Sequence, residues 1–439
     1  MTFPTFKGTL RSDDEARAAY SSDFGRHRAR VPWAVLRPAA VSDIVDAVRF
    51  ASRRGVPVVA RGQGHTTGGQ ATLAGALVID LHDLDSLKIH ASARRAEVGA
   101  GALWSDIVRA TFELGLTPPV LTDYLGLTVG GTLSVGGIGG QSFARGAQVD
   151  NVAALSVVDG RGEVVRASAS ENRELFDAAR GGLGRCGIIV SAELDLVPAP
   201  EKARIRDVVY TDLEPFLADQ SVLCDRGELG YVLGNIPPRG AGWSYAIEAV
   251  EYLEPATAPR ASFEGLAAKD ISSPREVPYL EHTLRLEAMA SAMRRSGSWD
   301  LAHPWIDVFV GRRHAAPLIA RTLAEITPAD VGDGYVMTYP VTTARFGAPL
   351  LRMPPETHAY LFDVLGSVPD AAVPTWVERA GRVSRAALEV AGSVYPIGSA
   401  PMSRGDWERQ LGDRLATLRA TGAFHDPMGI FPKHDGEAT

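Results

Sequence analysis

The run VSDIVDAVRFASRRG at 41–55 places Ile44, Val45, Val48 and Phe50 on one face of a 3.6-residue period with polar positions opposite, which predicts an amphipathic helix. Ser42 reads as its N-cap and Gly55 as its stop. The next run, VPVVARG, is short, β-branched and closed by glycine, so it predicts a buried strand feeding the loop GQGHTTGGQ. Downstream, ALVIDLH and AEVGAGA read as strands, LSVVDGRGEVVRAS as a hairpin and LWSDIVRATFELG as a helix. The first 200 residues are thus α+β with an irregular, glycine-rich middle. LVPAPEKAR at 196–204 combines two prolines with a shift to charge, marking a domain boundary. Beyond it, DLEPFLADQSVLCDR predicts a helix, GYVMTYPV a strand, and the stretch from about Thr375 to Val390 a long helix.

Composition narrows the function classes. With 439 residues, 45% of them hydrophobic, the chain can give each of two domains its own core. A net charge of -7 argues against nucleic acid as partner, because phosphate binding needs clustered positive surface. The only cysteines, Cys186 and Cys224, have neither disulfide-framework nor zinc-ligand spacing and read as small buried apolar residues. No segment approaches the roughly 18 uninterrupted apolar residues of a membrane span, and no basic-then-apolar leader opens the chain. The expectation is a soluble cytoplasmic enzyme.

Three glycine-rich segments are candidates for an anion. Gly182, Gly184 and Gly187 formally complete GxGxxG, but a Rossmann unit needs a strand before the glycines and a helix after them. Here NRELFDAAR reads as a helix and the following IIVSAELDLV as a strand, so that reading is rejected. RGQGHTTGGQA at 61–71 and LTVGGTLSVGGIGGQS at 127–142 suit a pyrophosphate better: residues lacking Cβ let backbone N–H groups converge, and Thr66, Thr67, Thr132 and Ser134 add hydroxyl donors. Such loops can neutralise a diphosphate without Lys or Arg. His65, with glycines around it and no apolar wall in sequence, is expected to be exposed; its imidazole is a competent nucleophile toward an activated flavin methyl group.

RGQGHTTGGQA resembles the RGxGHSxxGQA loop of the cytokinin dehydrogenases, in the vanillyl-alcohol-oxidase-type FAD family, and TDYLGLTVGGTLSVGGIGGQSF resembles their TDYLxLTVGGTLSxxGIxGQ segment. The likeness continues in order through DFGRHRARVPWAVLRP, GGLGRCGIIVSAELDLVPAP, HPWIDVFV, DWERQLGDRL and HDPMGIF, nearly the whole chain. It implies an α+β fold: a PCMH-type FAD-binding domain of two subdomains (1–200), a substrate-binding cap with an antiparallel sheet (201–394), and a C-terminal segment returning to the FAD domain (395–439). It implies FAD joined covalently to His65, with Gly62, Gln63, Gly64, Thr66, Gln70, Asp123, Thr128, Ser134, Ile138, Ile189 and Tyr395 as cofactor contacts. No Cys lies near 120–130 to serve as a second anchor, so a single linkage is expected. Asp123 is the implied catalytic residue: it accepts a hydrogen bond from the substrate amine as hydride leaves the adjacent carbon for flavin N5. Read without the family, Asp123 would be a turn-capping residue of TDYL.

Three departures bear on substrate. GYVLGN puts Leu233 where the family has a Glu that binds the purine ring, and loss of such a contact can change preference by orders of magnitude. HPWIDVFV carries Asp307 in place of the usual Asn, beside Trp305 as a flat apolar wall. Pro432, Lys433 and His434 replace the C-terminal PGQ signature. The resemblance implies oxidation of a C–H next to an amine, with a small-molecule substrate and oxygen or a quinone-like acceptor. Leu233 keeps open an alternative, a bacterial natural-product tailoring oxidase acting on a different amine or an alcohol; a flavin-binding protein without turnover is a third class.

Overall fold

The computed structural model describes residues 4–254 and 261–433, so His434 lies outside the described residues. Two sheets build the first part of the chain. The smaller has the strand order Thr9–Arg11, Ala34–Arg37, Leu77–Asp80, Val58–Arg61, with its last three strands parallel. The amphipathic helix Val41–Arg54 buries Ile44, Ala47, Val48 and Ala51 in the same core as Leu36, Val58 and Leu77. It ends where expected, at Gly55 in the left-handed region (φ 63°). It starts two residues earlier than expected: Ala40 is the N-cap, and Ser42 lies inside the helix. The tethering carboxylate is Asp43, which accepts hydrogen bonds from the backbone N–H groups of Lys7, Gly8 and Ala39, all at 2.9 Å, and ties the N-terminal strand to the helix.

The second sheet is antiparallel, in the order Leu87–His90, Arg95–Gly99, Ile188–Asp195, Val152–Val158, Val164–Ser168. Its last pair is the expected hairpin. Helix Arg173–Ala179 precedes the glycine turn at 181–187 and strand Ile188–Asp195 follows it, the reverse of a Rossmann unit.

From Lys202 the chain enters a third, larger sheet of antiparallel pairings, ordered Lys202–Tyr210, Tyr245–Leu253, Tyr231–Asn235, Tyr335–Thr342, His358–Leu365, Ile306–Gly311, Ser393–Val394. The two-residue period divides its side chains between two faces. Val232, Val336, Phe362 and Val308 point toward helices Leu213–Arg226, Arg312–Ala324 and Val373–Glu389 and form one core with them. Tyr231, Leu233, Met337, Tyr339 and Leu361 take the other face and join the core that holds the first two sheets. The C-terminal segment returns to the first sheet, where Val58 N–H donates to the Ile430 carbonyl (2.8 Å). Cys186 and Cys224 are free and buried. Among the described residues, no helix is long and apolar enough to cross a membrane.

Candidate active site

A cavity of about 270 Å³ opens between the glycine loops and the inward face of the large sheet. The loop after strand Val58–Arg61 supplies Gly62, Gln63, Gly64, His65, Thr66 and Gln70 to its wall; the second glycine loop supplies Asp123, Thr128, Ser134 and Ile138. Ile189, Trp305, Asp307 and Tyr395 complete the sequence-derived set that borders it. Leu233 does not. It is buried on the inward face of its strand, packed in the core behind the cavity wall, so its identity does not act by direct contact there. Its cross-strand neighbour is Glu248, whose carboxylate is engaged by His282 (3.3 Å) and Arg285 (3.7 Å).

The glycine loops are stitched from within. Thr66 donates to Asp23, Thr67 to the Ile397 carbonyl and Ser134 to the Gly130 carbonyl, while Thr132 accepts from the Trp104 indole. The hydroxyls expected to reach an anion therefore fasten the loops instead. Gln70 has a similar second duty, donating to the Pro396 and Gly398 carbonyls at 3.0 Å each. Asp23, buried and accepting from Gly69 N–H (2.6 Å) and Gly25 N–H (3.1 Å), holds the loop from the other side; burial pushes its carboxyl up to about 6. Glycine is required where the loops meet. A Cβ on Gly62 would come within 1.9 Å of Thr128 Oγ1, and one on Gly140 within 2.3 Å of the Tyr231 ring.

These observations test FAD as a ligand. Contrary to the expectation that no basic residue is needed, Arg61 borders the cavity, and its buried Nη1 has no partner. A buried cation with an unpaired donor, beside loops that only glycine can form, fits a diphosphate. Sequence reading passed over Arg61 because it closes a strand and was read as part of the loop motif. The rejected GxGxxG turn also borders the cavity, through Leu183, Gly184 and Gly187.

His65 is only half-buried, but aromatic rings from distant segments surround it, which corrects the expectation of an exposed loop histidine. Phe24 stacks on it at 4.0 Å between centroids, and Tyr124, Trp299 and Trp305 stand at 5.2, 5.7 and 5.6 Å. This desolvation, with His303 and Arg294 nearby, lowers its pKa to about 3. The imidazole is therefore neutral across the physiological range, with one ring nitrogen carrying a free lone pair.

Asp123 sits where the two halves of the molecule meet. It accepts from Tyr339 Oη (2.6 Å) and Tyr231 Oη (2.8 Å), both on the inward sheet face, and pairs with Arg285 at 3.2 Å. Arg285 also donates to Tyr231 Oη (2.6 Å). Burial raises both phenols well above their ordinary pKa, the nearby Asp123 charge adding to it, so each remains a donor. For Arg285, burial alone would lower the pKa; Asp123, Tyr231 and Glu248 outweigh it. A carboxylate has about four acceptor sites, and three donors leave about one for a ligand. These partners distinguish Asp123 from a turn cap. Tyr339 lay within the predicted strand GYVMTYPV, where alternation already grouped it with Tyr335; Arg285, on helix Arg285–Ser296, carried no motif.

Comparison with known proteins fits this geometry. Residues 32–168 match the FAD binding domain family, and residues 245–435 match the family described as cytokinin dehydrogenase 1, FAD and cytokinin binding. The chain is 33% identical over 429 residues to an uncharacterized oxidoreductase, ORF5 in the fasciation locus of Rhodococcoides fascians, covering 96% of this chain and 97% of that protein. It is 34% identical over 481 residues to cytokinin dehydrogenase 1 of Oryza sativa subsp. japonica, covering 96% and 90%. The crystal structure of 6-hydroxy-D-nicotine oxidase from Arthrobacter nicotinovorans has the same fold, with a TM-score of 0.75 at 22% identity over 98% of this chain and 97% of that one. The α+β architecture with a PCMH-type FAD domain and an antiparallel cap sheet, the aromatic-walled cavity and these relatives lead to one conclusion: the chain belongs to the FAD-dependent oxidoreductases of the cytokinin dehydrogenase family.

Proposed function

We propose that the chain carries FAD through one covalent bond at His65 and oxidises a C–H next to the nitrogen of a small amine, with Asp123 receiving the substrate N–H. FAD, when bound, supplies a hydride acceptor at N5. The observation that carries the reading is the paired chemistry in the wall of one cavity: a neutral, aromatic-walled His65 on the FAD-domain loop and an Asp123 with about one acceptor site left. Arg61 and the glycine loops would hold the diphosphate, and Thr128, Ser134, Ile138, Ile189 and Tyr395 would pack around the rest. Asp123, fixed by Tyr231, Tyr339 and Arg285, orients the substrate nitrogen and draws off its N–H proton, balancing the positive charge that develops there as hydride departs. The aromatic side chains of Phe24, Trp299 and Trp305 exclude water from the reacting carbon.

The reading is tested by denaturing the purified protein in trichloroacetic acid. Yellow colour should stay with the precipitate of the parent chain and pass to the supernatant, or be lost, in His65→Ala. Flavin that washes free of the parent chain would overturn the covalent assignment. Asp123→Asn should keep its covalent flavin and be reduced by substrate on the order of 10²-fold more slowly. Anaerobic bleaching of the flavin by isopentenyladenine, compared with simple benzylamines, separates a cytokinin substrate from other amines.

A further inference from the structure

The sheet face that closes the cavity carries a second acidic feature, unused by the Asp123 network. Asp307 and Asp363 stand opposite each other on adjacent strands, both border the cavity, and they are 1% and 3% exposed. Both oxygens of Asp307 and Oδ1 of Asp363 receive no donor from any other residue, and the two carboxyls meet only each other. Elsewhere, buried Asp43 is satisfied by three backbone donors and half-buried Asp150 by those of Ala147, Gly347 and Ala348. An unsatisfied buried carboxylate is costly, and two facing acceptors satisfy each other only while one holds a proton. Gly398 makes the room, since a Cβ there would come within 2.5 Å of Asp307 Oδ2.

The surroundings provide no counter-charge. Tyr335 and Tyr395 stand nearest from the cap side, and Asp123 lies farther along the same wall. His65 borders the cavity and is held neutral by burial, burial likewise lowers the pKa of His303, and Asp333 adds another carboxyl to the wall. Arg285 is committed to Asp123 and Glu248. Burial raises Asp307 to about 7 and Asp363 well above its usual range, the Asp307 charge adding to the latter. The pair is neutral at mildly acidic pH and gains one negative charge as pH rises past about 7. Asp363 is paired with Met337, two residues along the strand from Tyr339, the residue that meets Asp123. Two residues along and one strand across puts the backbones of Asp363 and Tyr339 about 8 Å apart.

We propose that Asp307 and Asp363 form a recognition subsite for a second, basic nitrogen of the substrate, an ammonium or amidinium held one ring-width from the nitrogen at Asp123. The cation supplies the donors that the carboxylates lack, and Trp305, two residues before Asp307 on the same wall, offers it an aromatic face. This subsite rests on the reading of Asp123 as the partner of the nitrogen being oxidised.

The test uses the flavin-loaded protein and two probes of equal shape, p-xylylenediamine and 4-methylbenzylamine, titrated calorimetrically at pH 8 and pH 6. The diamine should bind about tenfold more tightly at pH 8, with the preference shrinking at pH 6 as the pair takes up its proton. Asp307→Asn and Asp363→Asn should each bring the two probes within about twofold of one another. Equal binding by the parent protein, which needs no variant, overturns the subsite. So does a preference that survives in the double Asn variant, or a variant that shifts the flavin spectrum with the preference intact, which would assign the pair to the cofactor. Flavin bleaching by the same probes separates the two readings. Diamine preference without bleaching by either amine removes amine oxidation and keeps the subsite; bleaching by both at equal half-saturation does the reverse.

Discussion

Replacing Arg285 with Met removes the cation that Asp123 and Glu248 share at 3.2 and 3.7 Å. The side chains of Asp123 and Glu248 retain only 9% and 13% of their exposure, so water cannot replace the guanidinium freely, whereas Arg285 itself keeps 24%. Breaking a fully buried pair costs about 3–5 kcal/mol; with Arg285 partly solvated the low end, about 3 kcal/mol, is expected at pH 8. The sign of the pH dependence follows from Glu248. In the parent fold its pKa is lowered, because His282 and Arg285 together outweigh its burial, so its ionised form stabilises the fold above the unfolded value and that contribution is lost as pH falls through the folded value. Without Arg285 the pull that lowers Glu248 weakens and burial counts for more, so its folded pKa rises and the variant loses less stability on acidification than the parent. Thermal unfolding of parent and variant from pH 5 to pH 8 should show a gap that widens with pH, and Asp123→Asn added to Arg285→Met should close part of it. A gap constant with pH would refute the reasoning, leaving Arg285 as a packing residue whose charge is immaterial.

Other positions give independent checks. Asp43→Ala leaves three backbone N–H groups without their acceptor and should lower stability by about 3 kcal/mol, read as a drop in unfolding midpoint, with Asp43→Asn losing less. Gly140→Ala drives a Cβ to 2.3 Å from the Tyr231 ring and should cost about 1–3 kcal/mol while slowing substrate reduction of the flavin, because Tyr231 carries the hydrogen bond to Asp123; normal kinetics would separate the two. Asp23, raised to about 6 from an ordinary 3.8, binds its proton more tightly in the folded state, so stability should fall between pH 4 and 6 on the order of 3 kcal/mol and be flat above; Asp23→Asn should abolish that slope.

The local elements were legible because they depend on short-range pattern. The helix at 41–54, the strand at 58–61 and the reversed order around the glycines at 182–187 follow from periodicity and breakers alone. Ser42 failed as a cap because a tertiary demand won: Asp43 was needed to hold the N-terminal strand, and the helix began early to present it. What pattern could not supply was which distant side chains would share a wall. His65 gains its aromatic surroundings from residues 24, 124, 299 and 305, and Asp123 its donors from 231, 285 and 339. Leu233 illustrates the converse, since alignment to a motif puts it at a substrate contact and strand register sets it behind the wall. A lone Asp in the apolar run HAYLFDVL was the available sign of Asp363.

The fastening of the His65 loop to residues 396–399 has a temporal side. Thr67 N–H and Oγ1 both reach the Ile397 carbonyl, 330 residues later in the chain, and Gln70 reaches the carbonyls of residues 396 and 398. On a ribosome the His65 loop therefore exists long before the segment that fastens it. The FAD-domain sheets and the Asp23 anchor of the loop can form as they emerge, but its second set of hydrogen bonds waits for residues 396–398. Cofactor capture is thereby coupled to completion of the cap, and a chain interrupted before residue 396 would fold its first sheets without a set site for the flavin.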